Sequence, residues 1–458
     1  MGRAGKGKIP AQLVEDEAYQ LRHEVVAGVD VAKAKGDVCT RLPPGEGGVR
    51  RRSRVEEVPA TVPGILALAG RLLADGVELV SMESTSDYWR VWYYTLEAAG
   101  LRVQLVSSSQ ARQLAGRPKT DRLDAQWIAR LTEMGLLRPC FVPPPEIREL
   151  RDWTRARLHL VHDRTAEWQR LEKLLEGALV KVSSVVSSLA GNKTARAVTE
   201  ALIAGERDPQ ALAGLALGRL RGKRRELAAA LEGARFGEHH ARLARMHLDR
   251  IDALDRDVAV LDDEIAGCLE GIPAAWGVTA DGVPCPDPGE GAAVPAAAAR
   301  LAEVPGMSFA LAMAVIAETG LDMSRFPTAG HLVSWAGLAP SARQSGARSR
   351  KPGKGQGNAY LRGYCTQAAN GAAATDTFLG ERLRRLSRRI GGARARSAVA
   401  RSVLVIVWHL LKDPAARFTD LGAGWHQRKT DRDKKISGHL RQLRALGLEV
   451  TVAEAAAA

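Results

Sequence analysis

The sequence predicts a multidomain protein with an α/β domain first and helical regions after it. Short β-rich runs alternate with amphipathic helical segments up to about residue 137, and long helical periodicity follows. Short helices resume beyond a stretch rich in Ala, Gly and Pro. The chain has 458 residues, 45% of them apolar and 26% charged, which fits a globular protein of two or three domains.

The α/β pattern begins with EVVAGVDVAKAKGDVCT at residues 24–40, which is a β-rich run carrying an Asp, a turn and a second short run. Strands and helices then alternate along the chain. They are expected at 61–75 (helix), 77–82 (strand), 88–99 (helix), 101–106 (strand) and 121–137 (helix). This order predicts a mixed or parallel sheet covered by helices.

The middle of the chain is predicted to be helical, with a long helix over about 146–180 and a less regular helical region over 181–240. An apolar heptad pattern follows, at Ile251, Leu254, Val258, Leu261, Ile265, Cys268 and Ile272. The alternating spacing of three and four is typical of a coiled-coil seam. It predicts a helical hairpin or a dimerising stalk, and the alternative is a helix packed on its own domain.

We therefore predict five segments. They are a catalytic α/β domain at 1–140, a helical coiled-coil region at 141–275 with an extra insertion near 181–240, an Ala/Gly/Pro linker at 276–300, a mainly α-helical C-terminal domain at 301–430, and a basic tail at 431–458.

The positive charge of the chain is concentrated near its C-terminal end. Residues 341–458 contain 23 Lys/Arg and 8 Asp/Glu, whereas the rest of the chain contains 43 and 44. Because phosphate neutralisation is the main sequence-independent source of nucleic-acid affinity, this asymmetry indicates a polyanionic partner. The alternative is a basic tail that only aids solubility.

The cysteines and the hydropathy pattern exclude several classes of protein. Five scattered cysteines without a C-x₂-C pair argue against a disulfide framework and against a structural zinc site, so a reducing cytoplasm is expected. The basic start of the chain has no apolar core typical of a signal peptide. The longest apolar stretch, 403–411, is too short to span a bilayer, so no membrane partner is expected.

Four acidic residues stand out by position in the α/β domain. Asp30 lies within the first strand, Glu83 at the end of a later strand, and Asp121 and Asp124 at the start of a helix. Taken singly, the helix acids are explained by capping behind Thr120, but an Asp inside a buried strand needs a binding partner. Carboxylates at strand ends and on a nearby helix are the arrangement that two-metal phosphoryl chemistry with Mg²⁺ needs.

A second constellation is WAGLAPSARQSGARSRKPGKGQGNAYLRGYC at residues 335–365. Long basic side chains on a backbone rich in Gly and Pro suit phosphate contacts. Three serines lie among them, at 341, 345 and 349, although a serine in such a loop is usually only a polar loop residue. The candidate nucleic-acid ligands are Lys119, Arg343, Arg348, Arg350, Lys351, Lys354 and Arg362.

The motifs GVDVAK, ESTSDYW and RPKTDRLDAQWIARL resemble the N-terminal domain of the one-ten family of insertion-sequence transposases. The match extends to flanking residues, which are Lys33, Thr85, Tyr88, Lys119 and Thr120. The resemblance implies an RNase H-like (RuvC-like) fold in which four acids, the DEDD set, bind Mg²⁺. The family pattern falls on Asp30, Glu83, Asp121 and Asp124 here.

The segments VPGMSFALAMAVIAETG, FPTAGHLVSWAGLAP, QSG and KGQGNAYLRGYC resemble the C-terminal serine domain of the same transposases. That resemblance implies a serine nucleophile that forms a phosphoserine link with DNA, at Ser345 here, with Ser341 the weaker candidate. It also implies metals that activate the serine in a composite site formed between protomers. The similarity covers about 24–180 and 245–412.

The turn VPGMS is similar to the hairpin of a helix-hairpin-helix element, whose backbone amides bind phosphate. Ser308 stands where the second glycine is usual, so a plain corner between two helices is an equal alternative.

The combined prediction is a DNA transposase or recombinase that uses a serine nucleophile and Mg²⁺. The resemblance further implies element and target DNA, a structured bridge RNA as guide, and a homodimer or homotetramer. The first rival is a metal-dependent DNA nuclease or junction resolvase without a serine intermediate. The second rival is an inactive nucleic-acid-binding protein, against which the intact set of four acids argues.

Overall fold

The protein is described from a computed structural model. The described residues are 21–46, 50–107, 121–272, 275, 277–279, 284–285, 292–294, 296–339, 343–345, 348–350, 357–426 and 432–451. The chain divides into two compact units, Met1–Val142 and Pro143–Ala458.

The first unit is built on a five-stranded mixed sheet with the order β3-β2-β1-β4-β5. The strands are β1 Val26–Val31, β2 Lys35–Leu42, β3 Arg52–Pro59, β4 Leu79–Glu83 and β5 Val103–Val106. The first three strands form an antiparallel meander, and β4 and β5 run parallel to β1. Helices α1 Val62–Ala74, α2 Trp89–Ala98 and α3 Asp121–Glu133 complete the unit.

The sheet is covered on both faces. Alternate strand residues, including Val29 and Met82, pack with Leu68 of α1 and Trp92 of α2, and all four are fully buried. On the opposite face Cys39 packs with Ala125 and Ala129 of α3. Because side chains alternate between the two faces of a strand, Asp30 falls on the α3 face.

Helix α3 runs antiparallel to β1. Its last residue, Glu133, accepts backbone hydrogen bonds from Arg22 and His23, which precede β1. The buried Glu133 carboxylate also bonds Arg41 Nε of β2 at 2.6 Å and lies 3.2 Å from Arg51 Nε. The C-terminal end of α3 is therefore fixed near the beginning of β1, and its N-terminal end lies towards the end of β1.

Gly28 allows the close approach of α3 to the sheet. A Cβ atom at this position of β1 would lie 2.4 Å from the backbone nitrogen of Ala129 and 2.5 Å from the carbonyl oxygen of Ala125. Both neighbours are backbone atoms, so no side chain can move to relieve the overlap. Any other residue here forces α3 away from β1.

This architecture confirms the predicted fold class, an RNase H-like α/β domain followed by a mainly helical region. The alternation of helix and strand gave the positions of β4, β5 and the three helices. Strand β3 was not predicted, because its sequence RSRVEEVP carries charges on a sheet edge and lacks an apolar run.

The second unit begins with a pair of antiparallel helices, α4 Pro145–Gly177 and α8 Glu238–Glu270. Ion pairs join them in antiparallel order, from Arg157 with Asp262 to Arg164 with Asp255. In α8, Ala244, Ile251, Val258 and Ile265 are buried at intervals of seven residues. The heptad seam therefore packs against α4 of the same chain, as a helical hairpin requires.

The insertion near 181–240 forms a small helical layer on this hairpin. Its helices are α5 Lys193–Ile203, α6 Pro209–Gly214 and α7 Arg224–Leu231. Val198 of α5, Leu212 of α6 and Leu227 of α7 share one apolar core with Leu171 of α4 and Leu248 of α8. The insertion is thus part of the folded second unit.

The segment at 276–300, which we expected to be a flexible linker, contains a small three-stranded sheet in its described part. The strands are β6 Gly277–Thr279, β7 Pro284–Cys285 and β8 Ala292–Val294, in the order β7-β6-β8. Composition alone did not predict them because each strand is only two or three residues long.

The C-terminal helices are α9 Ala297–Ala302, α10 Phe309–Thr319, α11 Ala329–Trp335, α12 Ala359–Ala372, α13 Phe378–Ile390, α14 Gly392–Lys412 and α15 Arg432–Ala445. Gly306, in the turn before α10, has φ +83°, and a Cβ atom there would lie 2.1 Å from the carbonyl oxygen of Ala368. Ser308 caps α10 by accepting a hydrogen bond from Leu311 N. These contacts support the helix corner rather than a phosphate-gripping hairpin.

Within the described residues, no helix is both long enough and apolar enough to cross a bilayer.

Gly28→Ala should destabilise the first unit, because the added methyl group overlaps the backbone of α3. We expect a loss of about 1–3 kcal/mol in the free energy of unfolding. Thermal unfolding of the full chain, with hydrogen exchange of α3 as the local measurement, checks this expectation. The control is Gly70→Ala in α1, where a Cβ atom meets nothing within 4 Å. Unchanged exchange in α3 of Gly28→Ala would contradict the close-packing argument.

Candidate active site

Two of the four predicted acids lie side by side at one end of the sheet. The parallel register pairs Val29 of β1 with Met82 of β4, so Asp30 and Glu83 come next on the two neighbouring strands. Both positions belong to the face that α3 covers, because Gly28 and Ser81 on the same face are paired two residues earlier. Glu83 is only 3% exposed, so its charge is largely removed from water.

A fifth carboxylate extends this row. Asp37 of β2 lies directly opposite Asp30 in the antiparallel register and is 9% exposed. Directly opposed residues of an antiparallel pair project to the same face. Asp37 was not predicted from the sequence, although its position seven residues after Asp30, across a short turn, was the available indication. We define Asp37, Asp30 and Glu83 as the carboxylate row.

The remaining two acids lie at the start of α3. Because α3 runs antiparallel to β1, its first turn lies towards the end of β1 that carries Asp30. The half-buried Asp124 precedes Ala125, whose carbonyl oxygen closely approaches Gly28. For Asp121 the structure describes the backbone at the start of α3 but not the side chain. The fold thus brings the beginning of α3 to the carboxylate row, as the DEDD pattern predicts.

The donor chemistry of this region fits a divalent cation. Its ligands are carboxylate oxygens, which Mg²⁺ prefers, and like charges on adjacent strands favour a cation between them. Among the described side chains, which exclude that of Asp121, no three acidic, His or Cys groups converge closely enough to hold one ion. The described carboxylates therefore do not by themselves form a metal site.

Polar residues behind the row hold α3 against β4. Thr132 of α3 donates to Ser81 Oγ of β4 at 2.7 Å, and Gln104 of β5 reaches the same oxygen at 2.7 Å. Cys39 is buried on the same face, opposite Gly28, and burial raises the pKa of its thiol to about 11. A thiol that stays protonated at neutral pH is a poor nucleophile, so Cys39 serves packing.

The predicted serine segment contains a short antiparallel hairpin. Strands β9 Arg343–Ser345 and β10 Arg348–Arg350 pair with Ser345 opposite Arg348. Only Gly346 and Ala347 separate these two residues in the sequence, so Ser345 ends the first strand at the tip of the hairpin. We expected an irregular loop here, and the paired strands were not predicted.

The structure describes only the backbone of Arg343, Ser345, Arg348 and Arg350. Other predicted residues of this set lie outside the described residues, namely Lys119, Ser341, Lys351 and Lys354. Arg362 lies in the first turns of α12 and is half-buried.

The two ends of the serine segment meet at its base. Asn358 N donates to the carbonyl oxygen of Trp335 at 3.1 Å. Gly357 lies against the backbone of Gly337, where a Cβ atom would be 2.5 Å from the amide nitrogen. Asn358 also caps α12 by accepting a hydrogen bond from Leu361 N at 3.0 Å. The segment therefore leaves and re-enters the helical domain at one fixed point.

A buried carboxylate holds this base in place. Glu318 of α10 is 0% exposed and accepts a hydrogen bond from Asn358 Nδ2 at 2.5 Å. Arg155 of α4 binds both of its oxygens, at 2.7 and 2.9 Å, and Arg151 Nε lies 3.5 Å away. Burial opposes the charge of Arg155, but the bonds to Glu318 outweigh it, and the pKa of Arg155 lies above its ordinary value.

The first turns of α12 make further contacts with α4. The Arg155 guanidinium lies 4.2 Å from the ring centre of Tyr360, and His159 hydrogen-bonds the Tyr360 hydroxyl at 3.2 Å. Tyr364 is buried, and its hydroxyl has no hydrogen-bond partner among the described residues. Burial, then the neighbouring Glu318 charge, raises the pKa of Tyr364. Glu318 was not predicted from the sequence, because one acid in an apolar helix gives no indication of its partners.

Two protein-family models match this chain, one in its N-terminal part and one in its C-terminal part. Residues 27–180 match a transposase model for the DEDD domain of IS110 elements. Residues 298–385 match the model described as Transposase IS116/IS110/IS902 family. The chain belongs to the IS110 family of transposases.

Two solved structures show similarity to about a quarter of this transposase. Thermus thermophilus RuvC is 20% identical, with 25% of this chain and 99% of that chain covered and a TM-score of 0.20. T. thermophilus RuvC in complex with a Holliday junction substrate is 18% identical, with 26% and 100% covered and a TM-score of 0.20. Among curated proteins no match was found.

Asp37→Asn should weaken divalent-cation binding by the transposase, because it removes one negative charge beside Asp30. We expect a loss of about tenfold in affinity, the lower end for groups that support a metal site. Titration calorimetry with Mn²⁺ measures this without any cleavage reaction. The control is Glu57→Gln in β3, since Glu57 lies opposite Asp37 but is paired with Lys35. Equal affinities of Asp37→Asn and the unaltered protein would remove Asp37 from the site.

Glu318→Gln should destabilise the second unit, because it leaves the Arg155 guanidinium without its buried counter-charge. Removing one partner of a buried ion pair costs about 3–5 kcal/mol. We expect this loss in urea unfolding, with faster hydrogen exchange at Asn358 and Tyr360. The control is Asp262→Asn, whose partly exposed pair with Arg157 should contribute less than about 1 kcal/mol. Similar losses in the two variants would contradict the anchoring role of Glu318.

Proposed function

We propose that this transposase cuts and rejoins element and target DNA with a metal-bound carboxylate site and a serine nucleophile. The observation that supports the proposal is that the first turn of α3 lies towards the end of β1 that carries Asp30, with Glu83 on the neighbouring strand. The family assignment supports an enzyme that acts on DNA. The identity of the metal as Mg²⁺, the serine intermediate and the guide RNA belong to the proposal.

The role proposed for the acids is to hold Mg²⁺ beside the reacting phosphate. Asp30, Glu83, Asp121 and Asp124 would supply the ligands, and Asp37 would add negative charge next to Asp30. A bound metal polarises a phosphate and lowers the energy of the charge that develops on it. The sheet register places the strand carboxylates next to each other, and the Gly28 contact holds the backbone of α3 close to β1.

The role proposed for Ser345 is nucleophilic attack. Its Oγ would lose its proton and form a bond to a backbone phosphorus while one phosphorus–oxygen bond of the DNA breaks, and the released DNA oxygen would take up a proton to leave a free hydroxyl end. One phosphoester replaces another, so the phosphoserine link keeps the energy needed to rejoin the strand. Ser341 is the alternative nucleophile. The resemblance implies that carboxylates and serine act on one phosphate from different protomers of a dimer or tetramer.

Most of the proposed nucleic-acid ligands lie in or next to the serine segment in the sequence. Arginines at 343, 348 and 350 flank Ser345 in the sequence, and Lys119, Lys351, Lys354 and Arg362 complete the set. Arginine forks bind phosphate oxygens in pairs, which suits a segment that must hold a DNA backbone near a nucleophile. A bridge RNA as guide rests on the family resemblance alone.

A metal-dependent nuclease or junction resolvase is the alternative function. It would use the carboxylate row with water as the nucleophile and leave Ser345 without a chemical role. The positioned base of the serine segment favours the transposase, because a buried ion pair at Glu318 fixes a segment that the nuclease would not need.

The test is trapping of a covalent protein–DNA adduct on a denaturing gel. The full chain is incubated with Mg²⁺, labelled donor-end and target DNA, and RNA transcribed from the flank of the element. We expect an adduct with the unaltered protein and none with Ser345→Ala or Asp121→Asn. Ser349→Ala is the matched control, because it removes a hydroxyl from the neighbouring strand and should keep the adduct.

Free cut ends without an adduct, unchanged by Ser345→Ala, would favour the nuclease. An adduct that survives Ser345→Ala but is lost in Ser341→Ala would move the nucleophile to Ser341. Omitting the RNA tests the guide separately, since an adduct formed equally well without it would remove RNA from the proposal.

A further inference from the structure

A cavity of about 570 Å³ lies in the C-terminal domain, away from the serine segment in the sequence. It is enclosed by α13, α14 and the chain that follows α14. Its floor is apolar and is formed mainly by Phe378, Val405, Ile406, Leu410, Phe418 and Leu421. The volume is within the usual range of about 300–1,000 Å³ for small-ligand sites.

The polar edge of this cavity is positively charged. Asp420 is engaged by two backbone amides, those of Phe378 at 3.1 Å and Gly422 at 2.9 Å. Arg417 is paired with Glu303 through a 2.6 Å hydrogen bond. Arg382 and Arg401 also line the cavity, and neither has an ion pair within the part of the chain that the structure describes. Their charge is therefore available to an anion at the cavity edge.

Burial and neighbouring cations disfavour the charge of Arg382, and Glu381 offsets them only in part. Its Nε is buried and has no hydrogen-bond partner among the described residues. Burial, and then the like charges of Arg385 and Arg401, lower the pKa of Arg382. An anion bound between Arg382 and Arg401 would reduce this repulsion and satisfy the buried nitrogen.

The cavity opens beside a surface suited to a phosphate backbone. Helix α13 buries Leu379, Leu383 and Leu386 on one side and is rich in arginine on the other. The exposed arginines of α13 and of the first half of α14 are Arg384, Arg388, Arg389, Arg394, Arg396 and Arg401, and Arg401 lines the cavity. We define these six residues as the arginine ridge. Between 382 and 401 the sequence has no acidic residue, and Arg384 pairs with Asp376 at 3.7 Å.

We propose that the cavity binds an unstacked base of single-stranded DNA, with the flanking phosphates held by Arg382, Arg401 and the arginine ridge. Sites for single-stranded nucleic acid combine a basic track for the backbone with an apolar or aromatic surface for the bases. Cutting and rejoining of duplex DNA exposes unpaired strands, which gives such a site its ligand. The inference rests on the proposed DNA-cutting function. Its test measures binding and requires no cutting, so a failure of the base-binding site can be distinguished from a failure of the cutting function.

The experiment compares two fluorescent oligonucleotides by polarisation with the full chain. One is an oligothymidine, and the other has the same backbone with its central bases replaced by tetrahydrofuran spacers. We expect the oligothymidine to bind about tenfold tighter, because one base enters the cavity. Equal affinities of the two oligonucleotides would overturn the proposal.

Variants separate the cavity from the ridge. Ile406→Trp fills the cavity and should abolish the preference for bases while keeping the affinity for the spacer oligonucleotide. Arg388→Ala is the matched control on the ridge. It should weaken the binding of both oligonucleotides equally and keep the preference for the oligothymidine. Arg382→Ala leaves the apolar floor of the cavity intact. It should weaken the binding of both oligonucleotides and reduce the preference for the oligothymidine. A preference that survives both Ile406→Trp and Arg382→Ala overturns the assignment of the cavity.

The same measurement with oligouridine tests whether the ligand of the cavity is DNA or RNA. Oligothymidine should bind at least as tightly as oligouridine if the ligand is DNA. Tighter binding of oligouridine, lost in Ile406→Trp, would assign the cavity to RNA and overturn the DNA assignment.

Discussion

The contact between α3 and β1 at Gly28 is the constraint on which the rest of the first unit depends. A helix can approach a strand this closely only where the strand has no Cβ atom, and the neighbouring atoms are backbone atoms of Ala125 and Ala129. This contact sets the height of α3 above the sheet. It therefore sets how near the acids at the start of α3 come to Asp30.

The carboxylate row and the anchoring of α3 depend on separate contacts. Asp37 and Glu83 of the row are buried and Asp30 is half-buried, and the three lie on adjacent strands of the sheet. The C-terminal end of α3 is fixed by Glu133, whose carboxylate is bonded by Arg41 and lies beside Arg51. The position of α3 is therefore set by an ion-pair cluster at the end of the helix opposite to its first turn.

Local sequence patterns predicted the helices and most of the strands. They did not predict features that depend on which strands or side chains pair with one another. The alternation of strands and helices gave the α/β domain, and Asp30 stood out because an acid inside an apolar strand needs an explanation. Asp37 and β3 escaped because their meaning comes from the register of neighbouring strands. The heptad pattern of α8 was compatible with both a helical hairpin and a dimerising stalk. Heptad spacing predicts an apolar helix face, but it does not predict which helix packs against that face. Glu318 was missed for the same reason, because its partners are distant in the sequence.

The two units share one structural feature, a buried ion-pair cluster that fixes the position of an element. In each, a fully or almost fully buried carboxylate is held by two arginines, Glu133 in the first unit and Glu318 in the second. Buried ion pairs contribute little net stability compared with apolar packing, but they tolerate few alternative geometries. Such a pair is therefore suited to fixing the position of a whole element. In the first unit that element is α3, and in the second it is the base of the segment that contains Ser345.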